Sequence, residues 1–408
     1  MTDDNLKKEY ISCALCGSKV HSISAHLKDF HPDVSISEYQ RLYPEAPILS
    51  AWGKLKVAEF QKRKEERAKT EAERAEAERA EAKKKLVTND DSVRKETISK
   101  VFDLPVEICK NKLNEEILIS VLKDSDNPKT KSLVPEISEN YVYDIKELKY
   151  QLMALELNTP CLVWGHKGCG KTEGVEQICA RTNRAFMRIQ HTANTEEAHI
   201  VGQWIVKNGE TVYQLGALSE AMLYGWVYCA DEYDFTPPHV LSVYQSVLEG
   251  KPLVIKDAPE EYRIIKPHEN FRFFATGNTN GTGDETGSYA GTLTQNSANY
   301  DRFGIVVHKD YLPKDKEADI LIKKTGIRES EANLLVDFAQ AVRKAYGEGK
   351  LNDTISPRAL INAGRIGILI GDLKQGLKLA FTNKLSSIDE EICLQYAQRI
   401  FGNGDPTS

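Results

Sequence analysis

An apolar run, Cys161-Leu-Val-Trp164, leads directly into Gly165-His166-Lys167-Gly168-Cys169-Gly170-Lys171-Thr172 and then into a helical pattern. This order constrains the chain more than any other feature. A buried strand must end where small residues let the backbone wrap around an anion, and a helix must begin with its free N–H groups facing that anion. In such a loop the backbone cradles phosphate oxygens, Lys171 reaches the β- and γ-phosphates of a nucleotide, and Thr172 coordinates magnesium. A glycine-rich turn with no ligand is the alternative, and the strand before it and the helix after it argue against that reading.

A second apolar run, Trp226-Val-Tyr-Cys-Ala230, ends in Asp231-Glu232. Two acids at a strand end suit a site in which Asp231 holds the metal and Glu232 polarises the attacking water. Further strand patterns fall at Ala185 to Gln190, Phe271 to Thr276 and Gly304 to Lys309, alternating with amphipathic stretches. That alternation predicts an α/β fold, a P-loop parallel sheet with helices on both faces. Two hairpins are expected between the strands. One spans Trp204 to Leu215 and turns at Asn208-Gly209, a pair that readily adopts positive φ; the other joins Leu253-Val-Ile255 to Tyr262-Arg-Ile-Ile265. Beyond Pro313 the helical period takes over, at Glu331 to Tyr346, Pro357 to Ile370 and Ile388 to Phe401, and predicts a C-terminal helical lid.

With 408 residues the chain is long enough for two or three domains. The expected divisions are a small zinc finger at 1–50, a charged helical linker at 51–90, an irregular segment at 91–140, the α/β core at 141–312 and the lid at 313–408. The linker, with Glu71 to Arg74 and Glu76 to Arg79 at i,i+3, reads as a solvated single helix or a disordered charged tether. If helical from Gly53 to Leu86 it would reach about 50 Å. A formal charge of -6 argues against a generally nucleic-acid-coating surface. Eight scattered cysteines and no secretory signal predict reduced thiols in a cytoplasmic setting, and the absence of any apolar run near membrane-spanning length predicts a soluble protein.

Near the N-terminus, Cys13-x2-Cys16-x9-His26-x4-His31 has the spacing of a tetrahedral zinc site, with His21 as a rival ligand. The short central gap, and the Ser37-Glu-Tyr-Gln-Arg-Leu-Tyr43-Pro that follows, resemble prokaryotic fingers of the Ros/MucR type. Those fingers bind DNA. Here Lys7, Lys8, Lys19, Lys28 and Arg41 face Asp3, Asp4, Glu9, Asp29, Asp33, Glu38 and Glu45, so residues 1–50 are net acidic and protein docking is favoured over nucleic acid.

From about residue 141 onward the chain resembles AAA+ ATPases of the MoxR-like and chelatase-like branch, within it the ATPase subunit of aerobic cobaltochelatase. The resemblance rests on Asp231-Glu-Tyr-Asp234, Arg263-Ile-Ile-Lys-Pro-His268, Thr276-Gly-Asn-Thr279 with Gly283-Asp284, Tyr311-Leu-Pro-Lys-Asp-Lys-Glu317 and Ser356-Pro-Arg358. It implies ATP and Mg2+ as ligands alongside the Zn2+ of the finger. By the same resemblance Asn278 would place the water, Arg302 would act as an arginine finger in the neighbouring subunit, and Arg358 would report nucleotide from the lid. It also implies a homo-oligomeric ring, hexameric in the family, with a separate von Willebrand-type partner and a client or chelating subunit that inserts cobalt into a corrin precursor. Two other tasks fit the same motor: a phage or bacterial MoxR-like remodeller with the finger as adaptor, and a DNA-targeted regulator. In the phage case the host cytoplasm is the expected location.

Overall fold

The computed structural model describes residues 7–64, 93–283, 289 and 291–402, which fall into two compact units, one within Met1–Asn89 and one within Asp90–Ser408. Among the described residues no helix is long and apolar enough to cross a membrane.

In the first unit β1 (Ile11–Ser12) pairs antiparallel with β2 (Lys19–Val20), and the turn between them carries Cys13 and Cys16. Two short helices follow, α1 (Ile23–Phe30) and α2 (Ile36–Leu42), each started by a serine whose hydroxyl accepts a backbone N–H of the first turn. Cys13, Ile23, Leu27 and Tyr39 form the buried centre. A helix then occupies 51–64; the remainder of the expected linker helix, 65–86, lies outside the described residues.

The second unit opens with an antiparallel ribbon of β3 (Val93–Thr97) and β4 (Leu118–Leu122). The sequence pattern reads 91–140 as irregular, and here the structure corrects it. Ile98, Phe102, Cys109 and Ile119 are buried with residues of the central sheet. β3 is mostly polar, Val-Arg-Lys-Glu-Thr, and gives no apolar run, while β4 finds its partner some twenty residues away, so the ribbon leaves no trace of its own in the sequence.

Helix α3 (Ile145–Leu157) leads into β5 (Cys161–Gly165), and the loop after it into α4 (Lys171–Arg181). Then come β6 (Phe186–Gln190), the hairpin β7 (Gly202–Lys207) and β8 (Glu210–Leu215), α5 (Ala217–Tyr224) and β9 (Val227–Asp231). The short pair β10 (Leu253–Val254) and β11 (Ile264–Ile265) precedes β12 (Arg272–Gly277) and β13 (Ile305–Lys309). Strands β5, β6, β9, β12 and β13 form one parallel sheet in the order β13-β5-β12-β9-β6. Each begins and ends within one residue of the apolar run that signalled it.

Alternation along β5 explains the layering. Leu162 joins a core with Leu218 and Met222 of α5, whereas Cys161 and Val163 join one with Leu152 of α3 and Ile178 of α4. A third core lies within the C-terminal helices α6 (Lys314–Thr325), α7 (Glu329–Gly347), α8 (Pro357–Ile370), α9 (Leu373–Ala380) and α10 (Ser387–Phe401), centred on Leu335, Phe338 and Leu360. Because β5, β12 and β9 are adjacent and parallel, the ends that carry the glycine loop, Asn278 and Asp231-Glu232 emerge at one edge of the sheet. Parallel sheets place their ligand sites at that edge.

Candidate active site

Gly165 closes β5 so tightly against β13 that an added Cβ would lie 2.1 Å from the Lys309 carbonyl oxygen, and only glycine fits there. Gly168 has φ of 74°, with Ser356 directly beside it. Past the loop, Lys171 turns its ammonium back across it, donating to the carbonyls of Gly165 (2.7 Å) and His166 (3.1 Å) and to Asn278 Oδ1 (2.9 Å). The Thr172 hydroxyl donates to Asp231 Oδ1 at 2.6 Å.

Asp231 is almost fully buried and heavily engaged. Thr276 donates to the same oxygen as Thr172, while Arg188 Nε donates to Oδ2 at 2.7 Å. Burial pushes the Asp231 carboxyl up, but the two hydroxyls and the guanidinium outweigh it and hold the group below its ordinary value. A threonine hydroxyl and an ionised carboxylate 2.6 Å apart are hard oxygen donors that suit a magnesium ion.

Glu232 behaves oppositely. Burial and the adjacent Asp231 charge raise its pKa against the pull of Lys171. Its backbone is in the left-handed region, φ 58° and ψ 43°, which few non-glycine residues adopt without strain. There the carboxylate accepts from Asn278 Nδ2 at 2.8 Å. The Asn278 amide therefore joins Lys171 to Glu232 through its two ends.

A cavity of about 1060 Å³ opens over these groups, lined by the loop from Lys167 to Thr172, Asp231, Glu232, Asn278, Tyr141 and Arg358. Its size suits a nucleoside triphosphate. Arg358 enters it from the second position of α8, whose first turn is set by Pro357 and capped by Ser356. Arg302 does not line this cavity among the described residues. Its Nε pairs with Glu249 at 2.8 Å and it donates to the Ala298 carbonyl at 2.6 Å, so Asp301 is not its ion-pair partner. The side chains of His166 and Lys167 also differ from a simple phosphate cradle. His166 stacks on Tyr311 with ring centres 5.7 Å apart, and Lys167 pairs with Asp353 of the lid.

Arg188 and the buried Lys309–Glu147 pair carry no motif in the sequence, and Thr276, although it opens Thr276-Gly-Asn-Thr279, gives no sign of its bond to Asp231. Their place depends on which strands become neighbours. For Arg188 on β6 the only signal is a charge set between the apolar Met187 and Ile189.

In the first unit, ligand atoms of Cys13, Cys16, His26 and His31 all lie within 4.8 Å of one another. Cys16 Sγ and His26 Nε2 are 3.1 Å apart. Two thiols and two imidazoles at such spacing match the donor set and dimensions of tetrahedral zinc. His21 is instead bonded through Nδ1 to the Ser50 hydroxyl at 2.8 Å and stacked on Tyr10.

Comparison with known proteins agrees with this geometry. Residues 160–291 match the AAA domain (dynein-related subfamily), and residues 317–396 match the CbbQ/NirQ/NorQ C-terminal family. The aerobic cobaltochelatase subunit CobS of a Sinorhizobium species is 34% identical over 279 residues, covering 66% of this chain and 83% of that protein. Protein NorQ of Paracoccus denitrificans is 24% identical over 57% of this chain and 82% of its own length. Protein CbbQ of Hydrogenophilus thermoluteolus is 23% identical, over 51% and 73% respectively.

Proposed function

Because this chain belongs to the MoxR-type AAA+ ATPases that include CobS and CbbQ, and is an ATP hydrolase, we propose that it is the ring-forming motor of a cobaltochelatase-like assembly. In this reading hydrolysis drives conformational work on a partner complex. The observation that carries it is the 34% identity to CobS across 83% of that protein.

Within the site, the loop Gly165 to Thr172 binds the ATP phosphates, and Thr172 with Asp231 holds magnesium. Bound magnesium neutralises charge on the phosphates. Glu232, with its pKa raised by burial, polarises water and accepts its proton, while Asn278 fixes the orientation of that carboxylate. Arg358 contacts nucleotide from the lid, and Arg302, which does not line its own cavity, serves a neighbouring subunit in a hexameric ring. Cys13, Cys16, His26 and His31 bind zinc in a finger that docks a partner protein. A von Willebrand-type protein and a chelating subunit are the expected partners.

One observation favours a second task for the same motor. Both family matches fall after residue 159, so the finger lies outside them and can serve as an adaptor to a different client. Purification of the full chain with its bound proteins separates the two. Chelatase-type partners and corrin-stimulated ATP turnover support the first task, whereas an unrelated client that stimulates turnover without a corrin refutes it. The site itself is tested by Glu232→Gln, which should bind ATP normally and lose turnover by roughly 100-fold or more, since the amide keeps the shape and loses the base. Equal turnover in the two proteins would remove Glu232 from its role.

A further inference from the structure

Beyond the residues that face the nucleotide cavity, a third acid of the same segment is built into the site. Asp234 is completely buried, three residues after Asp231. One of its oxygens, Oδ2, accepts three hydrogen bonds, from the backbone N–H of Asn278 (2.9 Å), the backbone N–H of Thr279 (2.8 Å) and the Thr279 hydroxyl (2.9 Å). Its backbone carbonyl accepts from Leu293 N at 2.9 Å. The neighbouring Gly277 leaves room for it, since a Cβ there would come within 3.2 Å of Oδ1.

This arrangement answers a mechanical question. Strand β12 ends at Gly277, so no ladder bond holds the backbone of Asn278. The Asn278 side chain nevertheless has to span from Lys171 Nζ (2.9 Å) to Glu232 Oε2 (2.8 Å). A short side chain can meet two partners at once only if its own backbone is fixed, and the carboxylate of Asp234 is what fixes it. Burial raises the Asp234 carboxyl above its ordinary value against the pull of these three bonds, and removal of the acceptor would leave the backbone N–H groups of Asn278 and Thr279 unmatched.

We propose that Asp234 is a positioning residue for hydrolysis, which clamps the loop after β12 so that Asn278 can hold Lys171 and Glu232 together. The inference rests on the reading of Glu232 and Asn278 as the water-side machinery. Asp234 touches neither nucleotide nor water in this role. Its loss therefore changes turnover and spares binding, because the loop from Gly165 to Thr172 stays in place.

The test uses the full chain, with kcat and KM from steady-state ATP hydrolysis, affinity from a fluorescent ADP analogue, and a thermal melt for each variant. Asp234→Ala should lower kcat by about 10- to 100-fold, the scale of a misplaced catalytic group, with nucleotide affinity within about threefold of wild type. Asp234→Asn keeps an oxygen for the same donors and should recover most of the rate. Thr279→Val removes only the hydroxyl and should lower kcat several-fold. Unchanged kcat in Asp234→Ala, or kcat and affinity falling together, overturns the proposal. Should Asp234→Ala fail to fold, Thr279→Val decides, and unchanged kcat there overturns it equally. Asn278→Ala separates the layers. Full activity in that variant defeats the underlying reading of the site, whereas a low rate beside normal Asp234 and Thr279 variants defeats the Asp234 role alone.

Discussion

Beneath the phosphate loop lies a charge pair whose loss should be felt throughout the second unit. Lys309, the last residue of β13, places its ammonium on the Glu147 carboxylate of α3, and the two side chains are only 6% and 9% exposed. Gln151 Nε2 donates to the same carboxylate at 2.7 Å, so the acid is committed on both sides. Glu147→Leu removes the counter-charge and leaves a buried ammonium with no acid to meet it. Breaking a buried pair in this way costs about 3–5 kcal/mol. At roughly 2 °C per kcal/mol for a unit of this size, the melting temperature should fall by about 6–10 °C. The double variant Glu147→Leu/Lys309→Met removes both desolvation costs and should lose less than about 2 kcal/mol. Thermal unfolding followed by tryptophan fluorescence reports on this unit, because Trp226 is fully buried in its core. If Glu147→Leu costs under about 1 kcal/mol, or the double variant costs as much as both single ones together, the pair is not the coupled buried contact that its burial indicates.

Two other predictions concern the metal and the ring. Carefully purified protein should carry one zinc per chain, and Cys13→Ser with Cys16→Ser should lose it; metal analysis that finds no zinc in the wild type ends the finger reading. Arg302→Ala should bind ATP but hydrolyse it poorly, and mixing it with Lys171→Ala should restore some turnover, because a mixed ring can place an intact loop beside an intact arginine. Once subunit exchange has been demonstrated, absence of recovery at every mixing ratio would mean that Arg302 acts within its own chain through Glu249.

What the sequence displays best is chemistry carried by contiguous residues. Gly165 to Thr172 and Asp231-Glu232 are legible because each is a short segment that must combine an apolar strand with a fixed set of polar groups. Cys13, Cys16, His26 and His31 are legible through spacing, since a knuckle and one helical turn suffice to bring them together. Arg188, Thr276 and Asp234 are a different case. Arg188 reaches Asp231 only because β6 lies beside β9, and Thr276 only because β12 lies on its other side. Asp234 belongs to a visible motif, yet its task depends on Thr279, which is forty-five residues away and meets it only in the folded sheet. The ribbon of β3 and β4 was hidden for the same reason, as neither strand has meaning without its partner.

These long-range contacts also determine how the phosphate loop is connected to the rest of its unit. Its first glycine is pressed against the Lys309 backbone, and Lys309 is tied to α3 through Glu147. The middle of the loop faces the lid: His166, stacked on Tyr311 just before it, meets Tyr346 of α7 edge-on, Lys167 pairs with Asp353, and Gly168 abuts Ser356 at the start of α8. Its end passes through Lys171 to Asn278 and from there to Glu232. A side chain at Gly168 would therefore displace Ser356, the residue that caps the helix carrying Arg358. Loop, lid and Glu232 are joined by contacts at hydrogen-bond or van der Waals distance, most of them through side chains, and close-packed groups of this kind do not shift independently. The lid is thus anchored to the loop directly, by Ser356 and Asp353, as well as through any nucleotide that Arg358 reaches.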